Sequence, residues 1–263
     1  MRYLKGTFVI TRERDIPLLL HVRNCRFVAH PQLLELLQYD AAAPCRNTYN
    51  WRVQRLLRTG HIQRVEGESF SGTPVYTITP KGLAVLESHG EFAVGLNSRT
   101  RRMPDTHQIF HSLELNAIRL CLAHNGLLVN WQSEVELASI NMVSAAPYQK
   151  DYDAVVKIWI GKEVREFALE YERSLKNSRQ YESIREALAS ERQIECILYL
   201  AADYAILIAL LHQLSPSPKR VGFLTAKAFR EQLLDASVTV DRARPMIPLE
   251  EFLRYAHPLY MRA

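Results

Sequence analysis

The stretch from Arg46 to Gly82 constrains this chain more than any other. From Arg46 to Arg58, Tyr49, Val53, Leu56 and Leu57 recur at i, i+4, i+7 and i+8, the apolar stripe of an amphipathic helix. Gly60 follows at the position where a left-handed residue ends a helix. The next segment, HIQRVEGESFSGTPVYTIT, carries Ile62 and Val65, then a polar Gly-Ser turn, then Val75, Tyr76 and Ile78, which predicts a hairpin. Thr79, Pro80, Lys81 and Gly82 then read as a cap, a first-turn proline and the start of another helix through Leu83, Val85 and Leu86.

Two helices are expected before this block. Ile16, Leu19, Leu20 and Arg23 fall at helical spacing after Thr11, a candidate N-cap. Pro31 suits a first helical position, with Leu33, Leu34, Leu36 and Leu37 on the buried side. The order of three helices, a two-stranded wing and a closing helix resembles the winged helix-turn-helix superfamily over roughly residues 8 to 90. The resemblance rests on Leu56, Leu57, Gly60, Ile62 and Arg64 at the helix-to-wing turn, and on Tyr76, Thr79, Lys81 and Gly82 at the wing exit.

A recognition helix needs donors and bidentate amides in the half that enters the major groove. Arg46, Asn47, Asn50 and Gln54 are of that kind, because Arg pairs with guanine O6 and N7, and Asn or Gln with adenine N6 and N7. Arg55, Arg58 and Arg64 read as phosphate contacts, which position without specifying. Glu66 and Glu68 in the wing argue against its deep insertion into a groove. The other reading is a winged helix whose solvated face contacts protein. Charge agrees with a polyanion partner: residues 1 to 104 hold 15 Lys and Arg against 8 Asp and Glu, whereas residues 105 to 263 hold 18 against 20.

Periodicity is lost between Ser88 and Asp105, where Gly90, Gly95, Pro104 and the cluster Arg99, Arg101, Arg102 mark a linker. The expected division is residues 1 to 90, a linker over 91 to 106, and a second domain over 107 to 263. That domain opens with a helix carrying Ile109, Leu113, Ala117 and Leu120 on one stripe and ending at Gly126. A strand, LLVNWQ, then SEVEL and a long connection containing Pro147 come next. Strand two is YDAVVKIWIG, with Ala154, Val156, Ile158 and Ile160 on one face and Asp153, Val155, Lys157 and Trp159 on the other. Strand three is EVREFALEYER, with Phe167, Leu169 and Tyr171 opposite Ala168, Glu170 and Glu172. A helix over Ser178 to Ser190, a strand at IECILYLA, a helix over Tyr204 to Leu214, a strand at VGFLTA and a helix through Phe229 and Leu233 complete the pattern. The fold class expected is α+β or α/β, with a mixed sheet in the second domain.

Asp153 on strand two and Glu170 seventeen residues later on strand three make this domain resemble the restriction-endonuclease-like PD-(D/E)xK superfamily. That resemblance implies a catalytic set of Asp153, Glu170, Glu172 and Lys176, with Asp153 and Glu170 holding Mg²⁺ or Mn²⁺, a hard cation that activates water. It departs from the pattern where Glu172 replaces the expected Lys. Lys157 or Lys176 can stand in, and Glu134 or Glu114 can add a carboxylate. The other reading makes Glu170 and Glu172 solvated residues of an edge-facing strand, paired with Arg165 or Arg173. His107 and His111 stand at i, i+4, but Gln108 between them and the lack of a third ligand favour structural histidines over a zinc site.

The succession of a winged helix, HSLELNAI, WQSEVEL, DYDAVVKI and FALEYERSLKNSRQY is similar to the bacterial replication-relaxation family of plasmids and other mobile elements. Glu170, Tyr171, Glu172 and Arg173, with Tyr181 in the next helix, carry that likeness over most of residues 10 to 225. It implies a winged helix followed by a degenerate nuclease-like domain. Three functions stay open: a dimeric, sequence-specific regulator of double-stranded DNA needing no cofactor; a metal-dependent endonuclease or nickase; and a protein-binding adaptor of a replication or mobilisation complex.

Composition narrows the rest. With 263 residues, 48% hydrophobic and 23% charged, the chain is large enough for a real core, which excludes dominant disorder and collagenous or repeat architectures. Cys25, Cys45, Cys121 and Cys196 lie 20, 76 and 75 residues apart, without metal or disulfide spacing. The apolar run Ala205 to Leu211 is too short to span a bilayer, and the N-terminal stretch lacks the apolar core of a signal peptide, so a cytoplasmic location without membrane contact is expected.

Overall fold

The computed structural model describes residues 9–40, 45–66, 72–91, 105–215 and 217–254. The chain divides into two compact units, Met1–Met103 and Pro104–Ala263. Arg99, Arg101 and Arg102 of the expected linker lie outside the described residues. The fold class is mixed α+β.

The first unit runs α1 (Asp15–Asn24), β1 (Val28–Ala29), α2 (His30–Tyr39), α3 (Arg46–Arg58), β2 (Ile62–Val65), β3 (Val75–Ile78) and α4 (Pro80–Ser88). The strands form an antiparallel sheet in the order β1-β3-β2. Ile16, Leu19 and Val22 of α1, Leu33 and Leu36 of α2, and Tyr49, Val53 and Leu56 of α3 are buried. Thr11 is not the cap of α1. Its N–H and hydroxyl both donate to the Asp15 carboxylate, at 2.8 and 2.9 Å, and the helix begins only at Asp15. Strand β1 was not expected, because two residues are too few for an alternation signal.

The exit from β3 is tied to the end of α3. Thr79 Oγ1 accepts from Gly82 N at 3.2 Å, and Lys81 Nζ donates to the Thr59 carbonyl at 2.8 Å, neutralising the negative end of α3. A Cβ on Gly82 would sit 2.2 Å from the His61 carbonyl oxygen, so only glycine fits there.

The second unit runs α5 (Thr106–His124), β4 (Leu128–Ser133), α6 (Glu134–Val143), β5 (Ala154–Ile160), β6 (Glu163–Glu172), α7 (Ser178–Ser190), β7 (Cys196–Ala201), α8 (Tyr204–Leu214), β8 (Arg220–Thr225), α9 (Ala226–Gln232), a 3-10 turn, β9 (Ser237–Val238), β10 (Ile247–Pro248) and α10 (Leu249–Arg254). Five strands form one sheet in the order β4-β5-β6-β7-β8. The β4-β5-β6 pairs are antiparallel and the β6-β7-β8 pairs parallel. One face packs with α5, α9 and α10 through Ile118, Phe167, Leu169, Phe229 and Phe252. The other packs with α6, α7 and α8 through Leu137, Val155, Tyr181, Ile197, Tyr199 and Leu210. The sheet is the middle of three layers.

Three expectations for this unit are corrected. The segment after β4 is a helix, α6, opened by a Ser133–Glu136 capping box, where a connection was expected. The buried stripe of α5 includes Ser112 and Asn116, while Leu113 and Ala117 are only half-buried, because polarity misreports which positions face the sheet. Strands β9 and β10 and helix α10 extend the fold beyond the elements expected. No helix among the described residues is long and apolar enough to cross a membrane.

Candidate functional site

Two groups of residues stand out, one in each unit. In the first, α3 turns Asn47, Trp51, Gln54 and Arg58 outward at i, i+4, i+7 and i+11, all of them exposed. Arg46 is exposed at its first turn, and Arg64 is exposed on β2. The side chains of Arg46, Asn47, Gln54, Arg58 and Arg64 make no hydrogen bond or ion pair among the described residues.

Two of the expected DNA contacts, Asn50 and Arg55, have partners within the unit. Asn50 Oδ1 lies 3.0 Å from His30 Nε2, while His30 Nδ1 lies 3.0 Å from the Tyr76 hydroxyl. An amide oxygen only accepts, so the ring donates from Nε2 and accepts at Nδ1. Burial holds His30 below its ordinary pKa, consistent with that neutral form. Arg55 Nη2 sits 2.6 Å from both carboxylate oxygens of Asp15, which is fully buried. Its charge is paired with Asp15 inside the unit, a contact the helical pattern of α3 does not contain. Glu66 is exposed, and Glu68 lies outside the described residues.

In the second unit, alternation along β6 puts Glu170 and Glu172 on one face, at the end of the sheet where β6 and β7 finish, and Asp153 stands one residue before β5 begins. Strand β6 is central, not an edge, and Glu170 and Glu172 are each only 5% exposed. They pair with lysines rather than with Arg165 or Arg173. Lys150 Nζ lies 2.7 Å from Glu170 Oε2, and Lys176 pairs with Glu172. Asp153 Oδ2 accepts from Tyr171 N at 2.7 Å and lies 3.2 Å from His111 Nε2, which is also 2.9 Å from the Tyr171 carbonyl. Both neighbours of that nitrogen are acceptors, so it carries the proton. Glu170 Oε1 and the Tyr199 hydroxyl, from residues paired in the parallel register, are buried without a hydrogen-bond partner among the described residues.

The remaining expected residues are placed elsewhere or act differently. Lys157 pairs with Glu166, and Glu114 with Arg230. Glu134 caps the approach to the cluster through its N–H, which donates to the Asp153 carbonyl at 3.1 Å. His107 is exposed, its carbonyl accepting from Arg173. The Tyr181 hydroxyl lies 3.3 Å from Lys176 N. Local pattern does not tie Lys150, His111 and Tyr199 to the cluster. The only available signal was the proximity of Lys150 to Asp153 in QKDYD.

Electrostatics separates the two carboxylates. Burial pushes Asp153 up, but the hydrogen bond and charge of His111, the Tyr171 N–H and Lys150 outweigh it and hold the group below its ordinary value. Burial likewise acts to lower His111, yet Asp153 raises it overall. Glu170 is raised, because burial exceeds the pull of Lys150 and Asp153 adds repulsion. Burial lowers Lys176 and raises Tyr199 well above the phenol range.

A divalent cation needs several oxygens free to turn towards it. Here Asp153 Oδ2 and the Tyr171 carbonyl share the His111 proton, and Glu170 Oε2 holds an ammonium. Among the described residues, no three His, Cys, Asp or Glu side chains gather as metal ligands. As arranged, the donors make a cluster balanced by protein cations. No family model, curated protein or solved structure matches this chain.

Proposed function

We propose that this chain is a sequence-specific regulator of double-stranded DNA, acting in transcription or in replication or mobilisation control of a mobile element. In this reading the first unit is a winged helix-turn-helix that lays α3 in the major groove. Arg46, Asn47 and Gln54 face base edges, Arg58 and Arg64 face phosphates, and Asn50 and Arg55 hold the helix in shape. The second unit is a nuclease-like scaffold that serves dimerisation or sensing, without a metal step.

One observation carries the reading. In a unit that buries Arg23 and Arg52 and ties Arg55 to Asp15, the side chains of Arg46, Asn47, Gln54, Arg58 and Arg64 are turned to solvent and make no hydrogen bond or ion pair among the described residues. Solvent-facing donors on one helix and the strand that follows it are what base and phosphate contacts require. A metal-dependent nuclease is the second reading, favoured by the unpartnered Glu170 Oε1 beside two lysines. The pairing of Asp153 with His111 and of Glu170 with Lys150 weighs against it.

The test is a paired assay on supercoiled plasmid and on duplex DNA, with and without Mg²⁺ or Mn²⁺, for the wild type and Glu170→Gln. Specific mobility shifts in both proteins without nicking are expected. Metal-dependent nicking that Glu170→Gln abolishes would replace the regulator with the nuclease.

A further inference from the structure

We infer that Trp51 is a base-reading residue of α3, packing its indole against a thymine methyl in the major groove. The inference rests on the DNA-binding reading and adds a specificity determinant to it. Trp51 is 59% exposed, although it is the largest apolar side chain on the helix. It lies in the narrow sector shared with Asn47, Gln54 and Arg58, so whatever engages those polar groups also meets the indole.

The ring is braced rather than loose. The Arg55 guanidinium lies 4.7 Å from the indole centroid, within cation–π range. Arg55 is itself anchored by the buried Asp15, and Asp15 is held by the N–H and hydroxyl of Thr11. A chain of four residues, Thr11, Asp15, Arg55 and Trp51, thus fixes an exposed aromatic before any partner arrives. Fixing it in advance removes the ordering cost that a free side chain would carry into binding.

Charge selects the occupant. Helix α3 holds four arginines and no acidic residue, so a second copy presenting the same face would meet like charge. Duplex DNA supplies the opposite charge, acceptors for Arg58, edges for Asn47 and Gln54, and one apolar group in the major groove, the thymine C5-methyl.

The probe is a duplex selected from a random-sequence pool by the wild-type protein, compared with versions in which single thymines are replaced by uracil, which lacks that methyl. Trp51→Ala should weaken binding to the selected duplex by about tenfold without changing its salt dependence, since no phosphate contact is lost. At one thymine, uracil should weaken the wild type several-fold and leave Trp51→Ala unchanged. Equal affinities for wild type and Trp51→Ala, or a uracil effect of the same size in both, would overturn the contact. A shift in oligomeric state caused by Trp51→Ala would also overturn it, in favour of a second copy. If the wild type selects no duplex, the DNA-binding function itself falls, whereas selection with an indifferent Trp51 removes this contact alone.

Discussion

His111 Nε2 bridges two strands of the second unit, lying 3.2 Å from Asp153 Oδ2 beside β5 and 2.9 Å from the Tyr171 carbonyl on β6. The Nε2–H of the imidazole stands between a carboxylate and a carbonyl, and the carboxylate favours the protonated ring. A folded-state pKa raised for His111 means its contribution is complete below the unfolded value near 6.5 and is lost as pH rises through the folded value. A lowered Asp153 contributes above its unfolded value of 3.8 and loses that contribution as pH falls through the folded one. Between those limits both act together. His111→Gln should therefore cost about 1–3 kcal/mol near pH 6 and much less near pH 9. Denaturant unfolding at the two pH values checks this, and an equal cost at both would rule out the ionic contribution.

Glu170 behaves oppositely. Its raised pKa means that the native state disfavours the ionised form, so stability is lost as pH rises from the unfolded value of 4.5 through the folded one. Glu170→Gln keeps the shape and removes the charge, while the Lys150 side chain, 20% exposed, already meets water. At pH 7 the substitution should stabilise by about 1 kcal/mol, roughly 2–4 °C in Tm for a chain of this size, and the gain should vanish below pH 4.5. A scanning calorimetry series over pH reads this directly. A lower Tm at pH 7 would mean that the Lys150 pair outweighs the burial of the carboxylate.

In the first unit, Asp15 is fully buried and answers Arg55 with both oxygens. Asp15→Ala strands the guanidinium and frees both Thr11 donors. Breaking a buried pair on one side costs about 3–5 kcal/mol, enough to unfold a modest unit at ambient temperature. Circular dichroism melting of the variant, beside the double substitution Asp15→Ala with Arg55→Met, separates the lost pair from lost packing. The double variant should recover part of the stability.

Gly82→Ala tests the junction between hairpin and α4. The added methyl meets the His61 carbonyl oxygen at 2.2 Å and Ile78 Cγ1 at 2.8 Å, so backbone must move. A destabilisation of about 1–3 kcal/mol is expected. An unchanged Tm would show that the strand end yields freely.

Much of the scaffold is legible in the sequence because it depends on local pattern. Helices α2, α3, α7 and α8 follow their apolar spacing, and the parity of β6 places Glu170 and Glu172 on one face, whereas Asp153, expected on strand two, precedes β5. What escapes depends on distant partners. The roles of Lys150 and His111 arise from pairs that close 20- and 42-residue separations to Glu170 and Asp153. Arg55 resembles a phosphate contact on its helix until Asp15, 40 residues earlier, is seen beneath it. Asn50 resembles a base reader until His30 is seen across from it. Strand β1 and helix α6 are short, and their signals are a pairing and a capping box rather than a period.

The most direct measurement of DNA reading through α3 is the affinity of the chain for a selected duplex in chelator, across a salt series, for the wild type, Asn47→Ala and Arg58→Ala. Wild-type affinity should fall steeply with salt. Arg58→Ala should weaken all sequences alike and reduce the slope of log K against log salt by about 0.9, while Asn47→Ala should lose preference for the selected site with the slope unchanged. A flat salt dependence, or variants that bind as the wild type does, would contradict the assignment of α3 as the reading helix.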